Sequence, residues 1–496
     1  MVFLFFLALG SLTGAVNVHR ARRPDLVFLW GQWGVAVWAA LALVLLVRLP
    51  VDGGMLSGLY HYWNNDAGIE IREIIAALGW PPGWQLVRAF QIYVLLPVAL
   101  IAVPTFLMGW TYAHIQRTVQ TDPRVVGWRV GLIQTANIAG SMLGSLLTGA
   151  LFLGWIGTPG TLSLLVLVAA SFGCLAVARS GLGARPARVG GVLGVSLLLA
   201  WAVPDEQRFW ARLHGSPLDE VVVAEDASSV VAMQRLQHGG AILRVNGTGM
   251  SMMPYGQVWN WLGLVPALLH PNPKNVLLIG LGTGNTAWAV GAIPEVERID
   301  VYEIAKPELE ILERTQSQWF DDPAVDHLLR DPRLNVHFSD GRLAMRLGDR
   351  RYDLIEADAL EPYMAYSGNL YSKEFYELVQ RSLKPGGLLC TYAPTERVKR
   401  TVLEVFPHVL SLDWFMIASD QPIRLDRKRF IERFRSEAVQ RYLRESGRAR
   451  QVNGDIAEFL QGVRVLEITP ENRNQQPGGD INTDLFPRDE YEVQLR

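Results

Sequence analysis

The stretch that decides the fold is Asn275-Val276-Leu277-Leu278-Ile279-Gly280-Leu281-Gly282-Thr283-Gly284-Asn285-Thr286. Its first five residues, mostly aliphatic, predict a buried strand, and a glycine-rich turn follows before a helix. A second strand, at 298–302, ends in the acid Glu303. Glycines let the backbone approach a ligand closely, and an acid at that strand end can bind both ribose hydroxyls. A glycine turn alone fits an ordinary loop, but this layout predicts a nucleoside-binding α/β domain.

Strands and helices continue to alternate after Glu303. A strand at 334–338 ends at Asp340-Gly341, and a strand at 352–357 ends at Asp358. Such alternation predicts a parallel, doubly wound sheet of the Rossmann-like, class I methyltransferase type, with ligands bound beyond the carboxyl ends of its strands. We therefore expect Glu303 to bind a ribose and Asp340 to bind a purine amino group.

The first part of the chain has the composition of a membrane domain. Residues 1–203 contain no lysine, 12 arginines and 6 acids, whereas the rest contains 34 basic and 42 acidic residues, so the net charges are +6 and −8. This charge pattern gives no indication of nucleic-acid binding. Apolar runs predict about five or six membrane spans, at about 2–16, 26–47, 90–110, 130–153, 161–178 and 187–203.

The remaining boundaries follow from composition. A membrane domain at 1–203 is expected to precede a small antiparallel β-region at 204–268 and the nucleoside-binding domain at 269–422. Residues 423–496 begin with an arginine-rich stretch, predicted to be a helix, that is either a solvated face or a contact with anionic lipid headgroups. The two cysteines fall one in each half and the nine histidines lack ligand spacing, so neither a disulfide nor a metal is predicted.

Two acids after the fourth predicted strand point to proton transfer. Asp358 and Glu361 are separated by two residues. One carboxylate there can take a proton from an ammonium group and free its lone pair, while the other holds the cation. The competing interpretation of Glu361 is that it caps the helix or loop that follows.

These residues make the chain similar to the spermidine synthase family of aminopropyltransferases. The resemblance is strong over 270–390 and moderate over most of the rest. In the soluble part it is carried by His270-Pro271-Asn272-Pro273, the glycine loop, Glu303, Asp340-Gly341, Asp358 with Pro362, and Leu370-Tyr371 before Glu374-Phe375-Tyr376. Similarity to membrane-fused members is carried by Pro104-Thr105-Phe106-Leu107-Met108-Gly109, Gly127-Trp128-Arg129-Val130-Gly131 and Asn482-Thr483-Asp484 with Glu490-Tyr491.

The resemblance implies roles for individual residues. Asp358 is implied as the catalytic proton acceptor, with Glu361 beside it. The co-substrate implied is decarboxylated S-adenosylmethionine or S-adenosylmethionine, without a metal. Its binding residues are implied to be Gly280, Gly282, Thr283, Gly284, Glu303, Asp340 and Gly341.

The sequence departs from the family on the acceptor side. Thr283 stands where the family has an aspartate that binds the cationic tail of the donor, and Glu361 replaces an aspartate. Val258-Trp259-Asn260 replaces a Tyr-His-Glu stretch that helps to bind the diamine, and Pro254-Tyr255-Gly256-Gln257 lacks an acidic pair. The far end of the acceptor site is therefore expected to offer apolar and aromatic surface and one amide.

The leading hypothesis is a membrane-bound transferase that moves an aminopropyl group from a sulfonium donor to an amine-type acceptor. A methyltransferase is the close alternative, and a non-catalytic, nucleoside-sensing membrane protein is the alternative from another class. The acceptor is expected to be an amine or a lipid-like molecule rather than free putrescine. Membrane lipid is a further expected partner, nucleic acid is not, and we allow for a homodimer.

The arginines also bear on sidedness. Loop 48–88 holds most of the acids together with Trp63, Trp80 and Trp84, so it is expected to lie opposite the arginine-rich cytoplasmic loops at 19–23, 111–129 and 179–188. A crossing segment at 187–203 would then place the soluble domain outside, away from cytoplasmic S-adenosyl compounds. We predict an integral protein of the cell inner membrane in which that short segment does not cross, which leaves the soluble domain cytoplasmic.

Overall fold

The computed structural model describes residues 1–48, 90–181, 183–236, 239–256, 258–358, 360–476 and 478–491. Contacts divide the chain into two compact units, Met1–Ala227 and the residues from Ser228 onward, and each is described by itself. The predicted domain boundaries at 203, 268 and 422 stay predictions. Apart from Arg48, the predicted loop 48–88 and its tryptophans fall outside the described residues.

The first unit is helical and ends in one strand, β1 (Val221–Glu225). Its α-helices are Val2–Asn17, Pro24–Arg48, Val103–Val119, Val126–Leu147, Leu153–Arg179, Arg185–Ala202 and Glu206–Leu213. Wider, π-helical turns precede or join some of them at Gln91–Leu95, Val98–Ala102 and Thr148–Phe152. Four helical stretches of the described chain are long and apolar enough to cross a membrane, and the pair Arg185–Ala202 and Glu206–Leu213, bent by 68°, would make a fifth.

Small residues let two of these helices approach closely. A Cβ atom on Gly10 would lie 2.1 Å from the carbonyl oxygen of Phe106, and one on Gly109 would lie 2.3 Å from the carbonyl oxygen of Leu7. Helices Val2–Asn17 and Val103–Val119 are therefore in backbone contact, as small residues allow in apolar helix pairs. The glycines of helix Val126–Leu147 have no described neighbour within 4 Å of such a Cβ.

The predicted arginine loops lie at one end of the helices. Arg23, which precedes helix Pro24–Arg48, donates to the carbonyl oxygen of Arg179 at 3.1 Å. Arg117 donates to the carbonyl oxygen of Ala21 at 3.2 Å. The end of helix Val103–Val119 and the end of helix Leu153–Arg179 thus lie beside the turn at 18–23.

Strand β1 lies at the opposite helix ends. There, Arg48 donates to the carbonyl oxygen of Ala202 at 2.9 Å. Gly157, with a φ of 63°, breaks the helix Leu153–Arg179. The N–H of Thr158, which begins the second half of that helix, donates to both oxygens of Glu225 in β1 at 3.0 and 2.9 Å. A carboxylate is favourable at a helix N-terminus, so Glu225 ties β1 to this end.

The second unit begins with three antiparallel strands, β2 (Val230–Arg235), β3 (Ala241–Val245) and β4 (Thr248–Met253). Its main sheet has the order β12-β10-β11-β9-β8-β5-β6-β7. The strands are β5 (Asn275–Ile279), β6 (Arg298–Glu303), β7 (Leu334–Phe338), β8 (Tyr352–Ala357), β9 (Leu383–Tyr392), β10 (His408–Leu412), β11 (Phe415–Ser419) and β12 (Val465–Ile468). The predicted Rossmann-like sheet is confirmed.

An antiparallel extension of the sheet was not predicted. β5 to β9 pair in parallel, whereas β11 pairs antiparallel to β9 and β10, and β12 pairs antiparallel to β10. The arginine-rich stretch, predicted as one helix, lies in a region of three helices. They are Arg427–Phe434, Glu437–Glu445 and Ala449–Gly462. The other α-helices of this unit are Val258–Leu269, Asn285–Gly291, Pro307–Thr315, Pro323–Leu329, Gly341–Leu347, Gly368–Tyr371, Lys373–Ser382, Glu396–Val405 and Arg488–Tyr491.

The strand order determines which loops meet. β5 lies between β8 and β6, and the three strands are parallel. Their carboxyl ends therefore share one edge of the sheet, where ligands bind in this class of fold. The glycine loop after β5 consequently lies between Glu303 at the end of β6 and Asp358 after β8.

Candidate active site

The glycine loop takes a path that requires glycine. Gly280, Gly282 and Gly284 have φ values of 100°, 54° and 83°, which residues other than glycine rarely adopt. A Cβ atom on Gly282 would lie 2.8 Å from Oγ of Ser251, and one on Gly284 would lie 2.2 Å from a methyl carbon of Leu328. The loop is thus packed between β4 and the helix Pro323–Leu329, and its backbone stays close to the edge where a ligand would bind.

Thr283 is buried beneath β4 and the segment that follows it. Its N–H donates to Oγ of Ser251 at 2.8 Å, and its carbonyl oxygen accepts the hydroxyl of Tyr255 at 2.7 Å. Its own hydroxyl lies 3.4 Å from the carbonyl oxygen of Met252. The predicted donor-binding residue therefore offers no charge to a ligand, and its polar atoms are used inside the protein.

Glu303 holds the glycine loop in place. Its side chain is 6% exposed. One carboxylate oxygen accepts the N–H of Leu281 and the other accepts the N–H of Ala305, both at 2.7 Å. Each carboxylate oxygen has a second lone pair, so two positions remain for further hydrogen bonds, and a ribose hydroxyl can occupy one of them.

Glu308 is a second buried acid at the same loop, and the sequence analysis missed it. It lies in the first turn of helix Pro307–Thr315 and is 4% exposed. Its carboxyl accepts the N–H of Gly282 at 2.9 Å and hydrogen-bonds with Glu303. Burial, and then the charge of Glu303, raises the pKa of Glu308 well above its usual range. Two acids therefore converge on the loop.

Asp340 and Gly341 follow β7 as predicted. Asp340 is exposed, and one of its oxygens caps the next helix by accepting the N–H of Leu343 at 2.8 Å. A Cβ atom on Gly341 would lie 3.1 Å from a side-chain carbon of Ile279 at the end of β5. Gly341 thus lets the start of helix Gly341–Leu347 pack closely against the ends of β5 and β6, and Asp340 keeps an oxygen at the exposed edge.

Three acids lie at or near the end of β8. Asp358 is partly buried. Burial, and then the charge of Glu361, raises the pKa of Asp358 to about 8. The Glu361 carboxylate accepts the hydroxyl of Tyr392 at 3.4 Å. Glu356, two residues before Asp358 and on the same face of the strand, is 3% exposed.

Glu356 is unusual for a central strand. Its Oε1 atom has no hydrogen-bond partner among the described residues. Burial, and then the charge of Asp358, raises the pKa of Glu356 well above its usual range, which favours its neutral form. On the neighbouring strand it faces Cys390, whose pKa is also raised by burial.

The end of the described chain fixes the segment that follows β8. The carboxylate of Glu490 accepts the N–H of Tyr366 at 2.8 Å and the N–H of Gly368 at 3.3 Å. Tyr371 donates its hydroxyl to the carbonyl oxygen of Leu360 at 2.5 Å. In the sequence, only the resemblance of 482–491 and of 370–371 to a family pointed to these residues, because the bonds of Glu490 join segments far apart in the chain.

Some of the residues predicted to face the acceptor form hydrogen bonds inside the protein instead. Tyr255 and Asn260 are fully buried. Asn260 donates to Asp455 at 2.7 Å and accepts from Asn285 at 2.8 Å, while the Tyr255 hydroxyl bonds to the glycine loop. The expectation that these two side chains line the acceptor site is therefore not met. Pro254 is exposed, and Trp259 is partly buried.

Among the residues that the structure describes, no three histidine, cysteine or acidic side chains are placed to hold a metal ion. The prediction that no metal takes part stays a prediction.

Comparison with known proteins covers the region just described. The model of the family described as Spermine/spermidine synthase domain matches residues 258–407. The chain is similar to the polyamine aminopropyltransferase of Streptococcus pneumoniae serotype 4, with 36% identity over 151 residues, which are 30% of this chain and 50% of the relative. It is similar to spermidine synthase 2 of Hyoscyamus niger, with 33% identity over 212 residues, which are 42% of this chain and 67% of the relative.

The match thus spans about half the length of the first relative and about two thirds of the second. Among solved structures, the spermidine synthase of Thermotoga maritima is similar with 20% sequence identity and a TM-score of 0.37, over 48% of this chain and 87% of that one.

Proposed function

We propose that this chain, which belongs to the spermidine synthase family, moves an aminopropyl group from a sulfonium nucleoside to an amine-type acceptor. The observation that carries the proposal is the shared sheet edge, where the glycine loop lies between the buried carboxylate Glu303 and the acid Asp358. A nucleoside held by the first would present its sulfonium carbon to a nucleophile beside the second.

The donor would be decarboxylated S-adenosylmethionine. Glu303 would bind the ribose hydroxyls and Asp340 the purine amino group, while the glycine backbone makes room for the nucleoside. The three positive φ values and the contacts that a Cβ would make at Gly282 and Gly284 support this fit, because a side chain at any of the three glycine positions would disturb this path.

Asp358 would act as the general base. The acceptor ammonium transfers a proton to the Asp358 carboxylate, and the freed lone pair forms a bond to the carbon next to sulfur. The carbon–sulfur bond breaks, its electron pair stays on sulfur, and a neutral thioether leaves. A base with a pKa of about 8 suits this step, because its ionised form is a stronger proton acceptor than an ordinary aspartate, whose pKa is about 4.

Methyl transfer from S-adenosylmethionine is the second candidate, and Thr283 is the observation that favours it. The tail of the decarboxylated donor ends in an ammonium group, which needs an acidic partner once it leaves water. Thr283 offers a hydroxyl directed to the carbonyl oxygen of Met252 instead of a carboxylate. The intact methionine tail of S-adenosylmethionine carries its own carboxylate and depends less on such a partner.

The acceptor would be an amine on a larger, less polar body rather than free putrescine. Asp358 and Glu361 can hold one cationic end. At the other end Pro254 and Trp259 offer apolar surface, while the amide of Asn260 is already bonded to Asp455 and Asn285. Each charge-assisted bond lost there would cost about 1.5–3 kcal/mol. The apolar helices of the first unit make a lipid-like acceptor and membrane lipid fitting partners.

The experiment is an assay of purified full-length protein with each donor and a set of amines, analysed by mass spectrometry. Methylthioadenosine as product indicates aminopropyl transfer, and S-adenosylhomocysteine indicates methyl transfer. Neither product with any amine, together with retained nucleoside binding, would contradict catalysis and favour the sensing alternative. A Michaelis constant for putrescine below the millimolar range would contradict the acceptor proposal.

The protein would be an integral membrane protein, and its sidedness needs a separate test. We predicted a cytoplasmic soluble domain from the location of S-adenosyl compounds. In the first unit, however, β1 is tied through Glu225 to the helix ends opposite the arginine loops. If arginine loops are cytoplasmic, this favours the outer side for β1. Reporter fusions after the last residue decide, and an external signal would contradict both the predicted location and the proposed donor.

A further inference from the structure

The donor side holds one carboxyl more than ribose binding needs. Glu303 and Glu308 are 6% and 4% exposed and hydrogen-bond to each other. Two ionised carboxylates do not share a buried contact, because like charges repel strongly where water is excluded. One proton must therefore lie between them, as in other pairs of buried acids.

The hydrogen bonds assign that proton to Glu308. Both oxygens of Glu303 accept backbone N–H groups, those of Leu281 and Ala305, at 2.7 Å. Glu308 accepts one N–H, from Gly282 at 2.9 Å. Glu303 therefore accepts more backbone hydrogen bonds than Glu308, and Glu308 is the acid that donates its O–H to the other.

The charged groups on the elements that pack against the helix of Glu308 have other partners or face solvent. The helix of Glu308 packs against β2 and the turn 316–320. The charged residue of β2 is Arg235, whose guanidinium lies over the Trp319 ring at 4.6 Å, and the turn has none. On the helix itself Glu310 and Glu313 are exposed, and Arg314 pairs with Glu310 at 3.4 Å. Glu303 is the charge that acts on Glu308.

We propose that Glu308 is a positioning residue of the donor site. As a neutral acid it donates a hydrogen bond to Glu303 and accepts the N–H of Gly282, so that the ribose-binding carboxylate and the glycine loop are held as one unit. When Glu308 loses its proton, two adjacent negative charges push the unit apart, and the nucleoside is released. This inference rests on the proposed nucleoside site.

The test is the affinity of full-length protein for methylthioadenosine, measured by calorimetry from about pH 6 to pH 9.5. Wild type is expected to lose affinity by about tenfold or more at the alkaline end. Glu308→Gln keeps a donor for Glu303 and an acceptor for Gly282 but cannot ionise, so its affinity should not change with pH. Glu308→Leu lacks both bonds and should bind about tenfold more weakly at every pH. Glu310→Gln, exposed on the same helix, is the matched control and should behave as wild type.

An equal alkaline loss in wild type and Glu308→Gln would overturn the inference, and so would a wild-type affinity that stays constant. If wild type binds no methylthioadenosine at any pH, the proposed function fails instead, and thermal unfolding without ligand tests the pair. An acid whose pKa is raised by folding makes stability fall as pH rises toward that pKa. The unfolding temperature of wild type should then fall more steeply with pH than that of Glu308→Gln, and parallel curves would overturn the inference.

Discussion

The two sides of the sheet edge differ in how their acids are bonded. On the donor side, Glu303 accepts two backbone N–H groups, and Glu308 and Asp340 accept one each. On the acceptor side, Glu356 has an oxygen without a partner among the described residues, and Asp358 has a pKa raised to about 8. The donor side is held by hydrogen bonds within the protein, whereas burial on the acceptor side favours the protonated forms of Glu356 and Asp358 until a cation binds.

The difference follows from position in the chain. Donor-side acids sit where strands turn into helices, so backbone N–H groups without partners are close at hand. The acceptor-side acids sit in and after β8, whose N–H groups are already used by β5 and β9. A bound ammonium group would be a hydrogen-bond donor for these acids in place of backbone N–H groups.

Asp358→Asn should give the largest effect on activity, and it should affect the acceptor side without affecting nucleoside binding. An amide cannot accept the proton, so turnover should fall by about 10²–10⁴-fold. The affinity for methylthioadenosine should stay within about twofold, because the donor-side bonds are untouched. Initial rates and calorimetry on the same preparation measure both. A variant with the wild-type rate would remove Asp358 from the mechanism.

Glu303→Ala should weaken nucleoside binding on the donor side. It removes the acceptor for the N–H groups of Leu281 and Ala305 and for the ribose hydroxyls. Affinity for methylthioadenosine should fall by about 10–100-fold, the loss expected for one or two bonds to a charged group. Calorimetry tests this, with Glu310→Ala as the control for an exposed acid. Equal affinity in wild type and Glu303→Ala would contradict the ribose assignment.

The sequence predicted the donor side well because its signals are local. The strands β5 to β8 and the acid after β6 follow from aliphatic runs, glycines and spacing within about 30 residues. The antiparallel strands were missed, because β12 reaches β10 only after a separation of more than 50 residues. The tight connection between β10 and β11, where Asp413 has a φ of 29°, lacks the Asn-Gly or Asp-Gly pair that marks a hairpin.

Individual acids were harder to interpret. Glu308 looks like an ordinary acid in the first turn of a helix, where acids are common. Glu356 interrupts an apolar strand, but its burial and the lack of a partner for Oε1 depend on how β5 and β9 cover it. Asn260 was expected to face the acceptor, and only the fold shows that Asp455 holds it. Sequence patterns locate strand ends, and packing decides which side chains remain open.

Glu356→Leu should give a smaller effect and tests the imbalance on the acceptor side. The change removes a buried acid whose Oε1 lacks a partner and fills similar space with apolar atoms. Replacing such groups with apolar ones is often stabilising, here by about 1–3 kcal/mol. Denaturant unfolding of the full-length protein measures the change. Destabilisation by Glu356→Leu would indicate that the carboxyl has a partner, and Glu356→Gln would then be the more stable variant.

The smallest expected effect concerns the pH dependence of kcat/KM for the acceptor. This ratio reports the free enzyme, in which Asp358 must be ionised to accept a proton. With a pKa of about 8 it is mostly protonated at neutral pH, so the ratio should rise with pH and level off above about pH 8. The charge of Glu361 is the second cause of the raised pKa, after burial. Glu361→Gln removes that charge, makes ionisation of Asp358 easier and should move the rising limb to lower pH by about one unit or less. Glu310→Gln should leave the limb in place. A limb that stays fixed or moves to higher pH in Glu361→Gln would mean that the two acids do not act on each other, and the acceptor side would then be one carboxylate rather than a pair.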